Sequence, residues 1–268
     1  MNLRLALFEL AEPYQLNAQA SRKLRQPAAL HRIHERHPGS LLHAFVIMAL
    51  ALGLFVLNSM GHAFNHALKI PVIVVAREKL PSTRVVTPIF SQLLMYSNPD
   101  GFKPVFEHSN EHLYIHESVP PGESLENWSQ MISATGVKGL ASHSAITPES
   151  VAGRLAGGFS NLCPATFSGA IFGASKLGEH DAFTVVVECG TTNEAGIPRS
   201  ESTLLIVIKG ASDYYTLQWT ERGAASTSPI NYDAMKWQAR LRSLAPVKLC
   251  EILPGESAPY SSCADRHL

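Results

Sequence analysis

The chain has no excess charge of either sign. Its 22 Lys and Arg residues balance 22 Asp and Glu, and only 16% of its 268 residues are charged. Such a balance gives no electrostatic footprint for nucleic acid, so no nucleic-acid partner is expected. Cysteine is scarce, with none before Cys163 and no C-x-x-C pair, which argues against the commonest zinc spacing. A Gly-rich phosphate loop is missing, as is a G-x-G-x-x-G turn after a strand, and no nucleotide cofactor is expected. The G-x-S-x-G elbow of a serine nucleophile is missing too. What the chain does have is 46% hydrophobic residues, enough to bury a core.

Charge and hydropathy divide the chain unevenly. Residues 1–63 carry Arg4, Arg22, Lys23, Arg25, Arg32 and Arg36 against Glu9, Glu12 and Glu35, a net of +3, and the remainder nets −3. The divide falls on the apolar run Leu41 to Leu57. A membrane span needs about 20 apolar residues, so this run is at the short end. Its basic flank predicts a cytoplasmic N-terminus and export of the chain beyond the run. Gly61-His62-Ala63 suits signal-peptidase cleavage, so residues 41–63 read as a signal peptide or a membrane anchor. If uncleaved, residues 41–57 make the membrane a partner. Residues 1–40 read as a cytoplasmic tail or non-native upstream translation. Residues 64–88, broken by Pro71, Pro81 and Pro88, read as a linker with at most one short strand. The expected location is therefore periplasmic or inner-membrane anchored.

All four cysteines lie on the exported side. An even count there suits disulfides in an oxidising compartment. Three pairings are possible. Cys163–Cys189 and Cys250–Cys263 are favoured, because each closes a loop between neighbouring elements, and the second ties the tail 251–268 to the last helix. A thiol nucleophile at Cys163, with His143 or His180 as base, is the less favoured alternative.

Residues 89–250 read as one α+β domain with a mostly antiparallel sheet of about seven or eight strands, two long helices and one short one. A hairpin is expected around Asn98-Pro99-Asp100-Gly101. A strand follows over Glu111–Val119, with His112, Tyr114 and His116 on one face. Gly122 stops it. Ser124 is expected to cap a short helix, with Glu123 and Glu126 at its positive end and Leu125 and Trp128 facing the core. A strand runs from Met131 to Val137. Thr147 and Pro148 open a helix whose buried face is Val151, Leu155, Phe159 and Leu162. Its Gly157-Gly158 pair predicts close packing against a neighbour. Four strands follow, with Thr191–Glu201 as a loop and "GASD" as a hairpin connection. Tyr215, Leu217 and Trp219 share one face. The last helix is expected to open at Pro229, with Ile230, Ala234, Trp237, Leu241 and Leu244 as its stripe.

Chemistry has thin support. His112 and His116 are the weak metal candidates. In a strand they stand roughly 13 Å apart, too far for one ion. Ser160 lies within a helix. Trp128, Trp219, Trp237, Tyr214 and Tyr215 read mainly as core.

The segments "GFKPVFE", "PPGESLENWSQMIS", "LCP" and "DYYTLQW" resemble a group of proteobacterial exported proteins with a GESxxNW-type corner. Here that corner is Gly122, Glu123, Ser124, Leu125, Glu126, Asn127 and Trp128. The layout is also similar to the PsbP-like α/β/α sandwich. That resemblance implies a non-catalytic accessory or binding module; the structural role of the corner rests on the capping and burial its own residues are suited to. A non-catalytic binding or envelope-accessory function is thus the leading expectation. An exported metal-assisted hydrolase using His112 and His116 is the alternative.

Overall fold

The computed structural model describes residues 82–194 and 196–264. The apolar run 41–57, the tail 1–40, the expected cleavage site and most of the linker lie outside the described residues. Among the described residues, no helix is long and apolar enough to cross a membrane.

Among the described residues ten strands form two antiparallel sheets, and apolar runs such as Leu204–Ile208 are buried on both faces. The strands are β1 (Ser82–Ile89), β2 (Gln92–Pro99), β3 (Lys103–Ser109), β4 (Leu113–Val119), β5 (Gln130–Val137), β6 (Phe167–Leu177), β7 (His180–Glu194), β8 (Ile197–Lys209), β9 (Tyr214–Ala224) and β10 (Lys248–Glu251). The helices are α1 (Pro148–Leu162), α2 (Ala234–Leu244) and α3 (Ser261–Ala264). A large sheet has the order β3-β4-β5-β9-β8-β7-β6, and a small one β1-β2-β10. The fold is thus α+β and mostly antiparallel, as the sequence pattern indicates, but with two sheets and ten strands rather than one sheet of seven or eight.

Each face of the large sheet has its own core. On one face, α1 packs against β6, β7 and β8. Its Val151, Leu155 and Phe159 join Leu205, Val207 and Val187. The opposite face carries Ile132, Leu204, Ile206, Leu217 and Trp219, covered by Leu94 and Tyr96 of β2 and by Trp237 and Leu244 of α2. Burying each such side chain contributes about 1.5–3 kcal/mol, so these two layers hold the sheet between them. The five aromatics expected in the core are buried, Trp128 least completely.

The first helix starts as its sequence indicates. The Thr147 side chain accepts from Ser150 N, the Ser150 side chain answers Thr147 N, and Pro148 follows the cap. Leu162 is only half-buried, and a Cβ at Gly157 would meet nothing within 4 Å, so close packing at that glycine is not found. The last helix begins at Ala234, not Pro229. Asp233 caps it by accepting from Lys236 N at 3.0 Å, which leaves Ile230 outside. An Asp side chain satisfying a free N–H outweighs the helix-opening preference of a proline four residues earlier.

Several connections differ from the sequence reading. Asn98–Gly101 does turn, with Phe102 N donating to Pro99 O at 3.2 Å, but it is not a hairpin. It carries the chain from the small sheet to the large one. The hairpin is instead β1–β2, closing through Phe90-Ser91 between Ile89 and Gln92. The end of the linker, 82–88, where at most one short strand was expected, is an eight-residue strand running on through Ile89 into the domain. Phe90 has φ 52, a conformation glycine usually takes, so its residue types give no turn signal. Asp213 holds this turn from outside: its carboxylate accepts from Ser91 N at 3.2 Å and Ser91 Oγ at 2.5 Å. The same carboxylate accepts from Gly139 N at 2.8 Å. The stretch read as a loop after Cys189 is mostly strand. β7 and β8 continue pairing to Glu194↔Ile197. Cys250, expected just past the last helix at the end of the domain, lies in β10, a strand that was not expected.

Both favoured disulfides are present, Cys163–Cys189 and Cys250–Cys263. The first ties the end of α1 to β7. The second holds α3 against the outer side of the small sheet, where Leu93 and Met95 are buried with Cys263.

Candidate cleft at the corner loop

The corner is the segment joining β4 to β5. Its first four residues form a turn in which Glu123 N donates to Pro120 O at 3.2 Å. Gly122 stands third in that turn with φ 81, where a side chain would be strained. No helix forms there, contrary to expectation. Glu123 reaches six residues ahead instead, accepting from Ser129 N at 2.7 Å and Ser129 Oγ at 2.6 Å. Ser124 N donates to Asn127 O at 3.0 Å, and Asn127 N donates to Ser124 Oγ at 3.3 Å. Glu126 accepts from Ser124 Oγ at 2.9 Å. These bonds close a loop too short to repay helix nucleation. Trp128 is buried, packed with Val119 and Met131, and Leu125 is partly buried against them.

This loop forms one wall of a cleft of about 360 Å3. The wall comprises Glu123, Asn127, Trp128 and Ser129. The facing wall is the end of the β7–β8–β9 ribbon: Ile197, Pro198, Arg199, Arg222, Gly223 and Ala224. The two walls are locked together. Arg222 N donates to Ser129 O at 2.8 Å. The Arg222 guanidinium lies 3.7 Å from the Trp128 ring centroid, and its Nε donates to Glu201 Oε2 at 3.3 Å. Guanidinium over an indole face is an attractive cation–π contact, stronger where water is excluded.

Burial governs the charges beneath the cleft. Glu201 and Arg222 side chains are 13% and 6% exposed. Burial pushes the Glu201 carboxyl up to about 7. Burial also brings the Arg222 guanidinium down to about 10, opposed by the charge of Glu117. Arg199 differs. It is half-buried on the same sheet face, two residues along β8 from Glu201. Among the described residues its guanidinium has no carboxylate partner.

Of the residues singled out from sequence, Glu123, Asn127 and Trp128 come together at the cleft, with Gly122 and Ser124 shaping the loop. His112 and His116 do not join them. His112 is exposed, just ahead of β4, with Nε2 3.4 Å from Glu111 Oε1. His116 sits within β4, half-buried, where burial lowers its pKa and its Nδ1 has no hydrogen-bond partner among the described residues. Among the described residues, no three His, Cys, Asp or Glu side chains gather as metal ligands. Cys163 is consumed in a disulfide, so it offers no thiol to His143 or His180. Sequence reasoning missed Arg199, Glu201 and Arg222. Gly196 and Pro198 read as loop signals and hid the extension of β7 and β8. Thr191 and Thr192, both strand formers, were the signal available.

No family model matches the chain, and no curated protein does. Among solved structures, the chain is similar to LpqN, involved in cell envelope biogenesis of Mycobacterium tuberculosis. That match has 17% identity and a TM-score of 0.37, covering 63% of this chain and 90% of LpqN. It is also similar to the Ran-binding protein Mog1p of Saccharomyces cerevisiae, with 8% identity and a TM-score of 0.34, covering 60% of this chain and 85% of that one.

Proposed function

We propose that the chain is an exported, disulfide-stapled binding module with an accessory role in the cell envelope, and that the corner cleft is where it takes its ligand. The observation that carries this reading is the construction of the cleft. Two distant segments, 123–129 and 197–224, are clamped by a backbone hydrogen bond and an arginine–tryptophan stack. The open face between them displays Arg199, which has no carboxylate partner among the described residues. A rigid concave site with a few convergent polar groups is the usual form of a binding site. The Glu123 carboxylate in the cleft is spent on closing its own loop, accepting from both Ser129 N and Ser129 Oγ, so recognition by the facing wall is the reading favoured. Two disulfides in one domain support export to an oxidising compartment.

The test uses the full chain in cells. Spheroplasts treated with external protease should lose the domain, and alkylation without reductant should find no free thiol among the four cysteines. Four free thiols, or a domain protected until the inner membrane is lysed, would overturn the export half of the proposal.

A further inference from the structure

The cleft lining combines polar side chains, among them Arg199 and Asn127, with the apolar Ile197 and Pro198. Arg199 supplies the one cation there without a carboxylate partner among the described residues. Its neighbour Arg222 is already engaged by Glu201 and stacked on Trp128. Arg222 and Arg199 are diagonal cross-strand neighbours on one face, since Glu201 pairs with Arg222 and Arg199 with Ala224. Backbone freedom at Arg199 is small: it is paired on both sides, and its carbonyl also accepts from Thr192 Oγ1 at 3.1 Å. Beside it, Ile197 is 52% exposed, among the most exposed large apolar side chains described, and Pro198 is exposed with it. Asn127 faces them from the corner loop, on the other wall.

From this juxtaposition we propose that the cleft binds a carboxylate carried on a short apolar stem. The guanidinium of Arg199 takes the carboxylate through paired N–H donors, the geometry that favours arginine at such sites. The stem lies on Ile197 and Pro198. The proposal rests on the cleft being the binding site and adds the ligand's chemical class. A free alkanoic acid and the C-terminal residue of a peptide share that chemistry.

The test is a titration of the intact folded protein, followed by calorimetry, with three probes: hexanoate, acetyl-Ala-Ala-Leu with a free carboxylate, and the same peptide as its carboxamide. The free carboxylate should bind at least about tenfold more tightly than the carboxamide. Arg199→Ala should remove that preference, and Arg199→Lys should keep part of it. Comparable affinity for hexanoate would assign the ligand as a free acid. Markedly tighter binding of the peptide acid would assign a peptide terminus. Equal affinity for acid and carboxamide, an Arg199→Ala variant that keeps the preference, or no binding of either acid at millimolar concentration would overturn the proposal. The carboxamide comparison needs no variant, so a folding defect in Arg199→Ala would not obscure the result. Loss of this ligand class alone, with the domain still exported and oxidised, leaves the export reading intact and removes only the ligand assignment.

Discussion

Two buried acidic residues do opposite kinds of work. Asp213 is 2% exposed, and its carboxylate ties together the β1–β2 turn, the start of the 3-10 turn at Leu140–Ser142 and, through Tyr215, strand β9. Removing it takes the acceptor from three part-buried donors, Ser91 N, Ser91 Oγ and Gly139 N, while Tyr215 OH keeps Ile89 O; each lost bond costs about 1 kcal/mol. Asp213→Ala is therefore expected to lower stability by about 3 kcal/mol or more in chemical denaturation. An Asp213→Asn variant, keeping two acceptor lone pairs but no charge, should lose less. Glu201 works the other way. Its carboxyl rises from 4.5 to about 7 in the folded chain, so between those pH values the folded state holds more protons than the unfolded one. Stability then falls as pH rises across that window, at most by about 1.4 kcal/mol per pH unit. Glu201→Gln should flatten this part of the stability–pH curve, and an unchanged slope would contradict the assignment.

At the scale of elements, the sequence told most where side chains alternate or cap. Tyr215, Leu217 and Trp219 share the face expected of them, and Thr147 opens α1 with the capping pattern its neighbours suggested. What stayed hidden was held by distant partners. The Phe90-Ser91 turn depends on Asp213, more than 120 residues away. The corner avoids a helix because Glu123 finds Ser129 rather than its own helix terminus. Half the cleft was therefore legible: Glu123, Asn127 and Trp128 stood out as a group. The other half, Arg199 and Arg222, becomes a wall only through the β7–β8–β9 register, which single-strand patterns do not specify. The same logic explains the two-sheet arrangement. A turn such as Asn98–Gly101 announces a change of direction but not which sheet the next strand joins.

The domain formed by the described residues is a layered sandwich stapled at two places. Cys163–Cys189 spans 26 residues and Cys250–Cys263 spans 13. Closing loops of that size restricts the unfolded chain by about 3.5 and about 3 kcal/mol respectively in the chain-entropy view. Replacing the pair Cys250 and Cys263 by alanine should therefore lower stability by about 3 kcal/mol and expose the outer side of the small sheet, read as faster hydrogen exchange at Leu93 and Met95. The cleft lies on other strands, so ligand affinity in that variant should be unchanged while the domain remains folded.

The central claim is that the corner cleft, and not some other surface, is the binding seat. Backbone amide shifts of the isotope-labelled chain, followed during titration with the acetyl-Ala-Ala-Leu carboxylate, test it most directly. The expected result is a contiguous set of the largest shifts at Asn127, Trp128, Arg199 and Gly223, saturating with one site. Saturable shifts centred elsewhere, with these four unmoved, would contradict it.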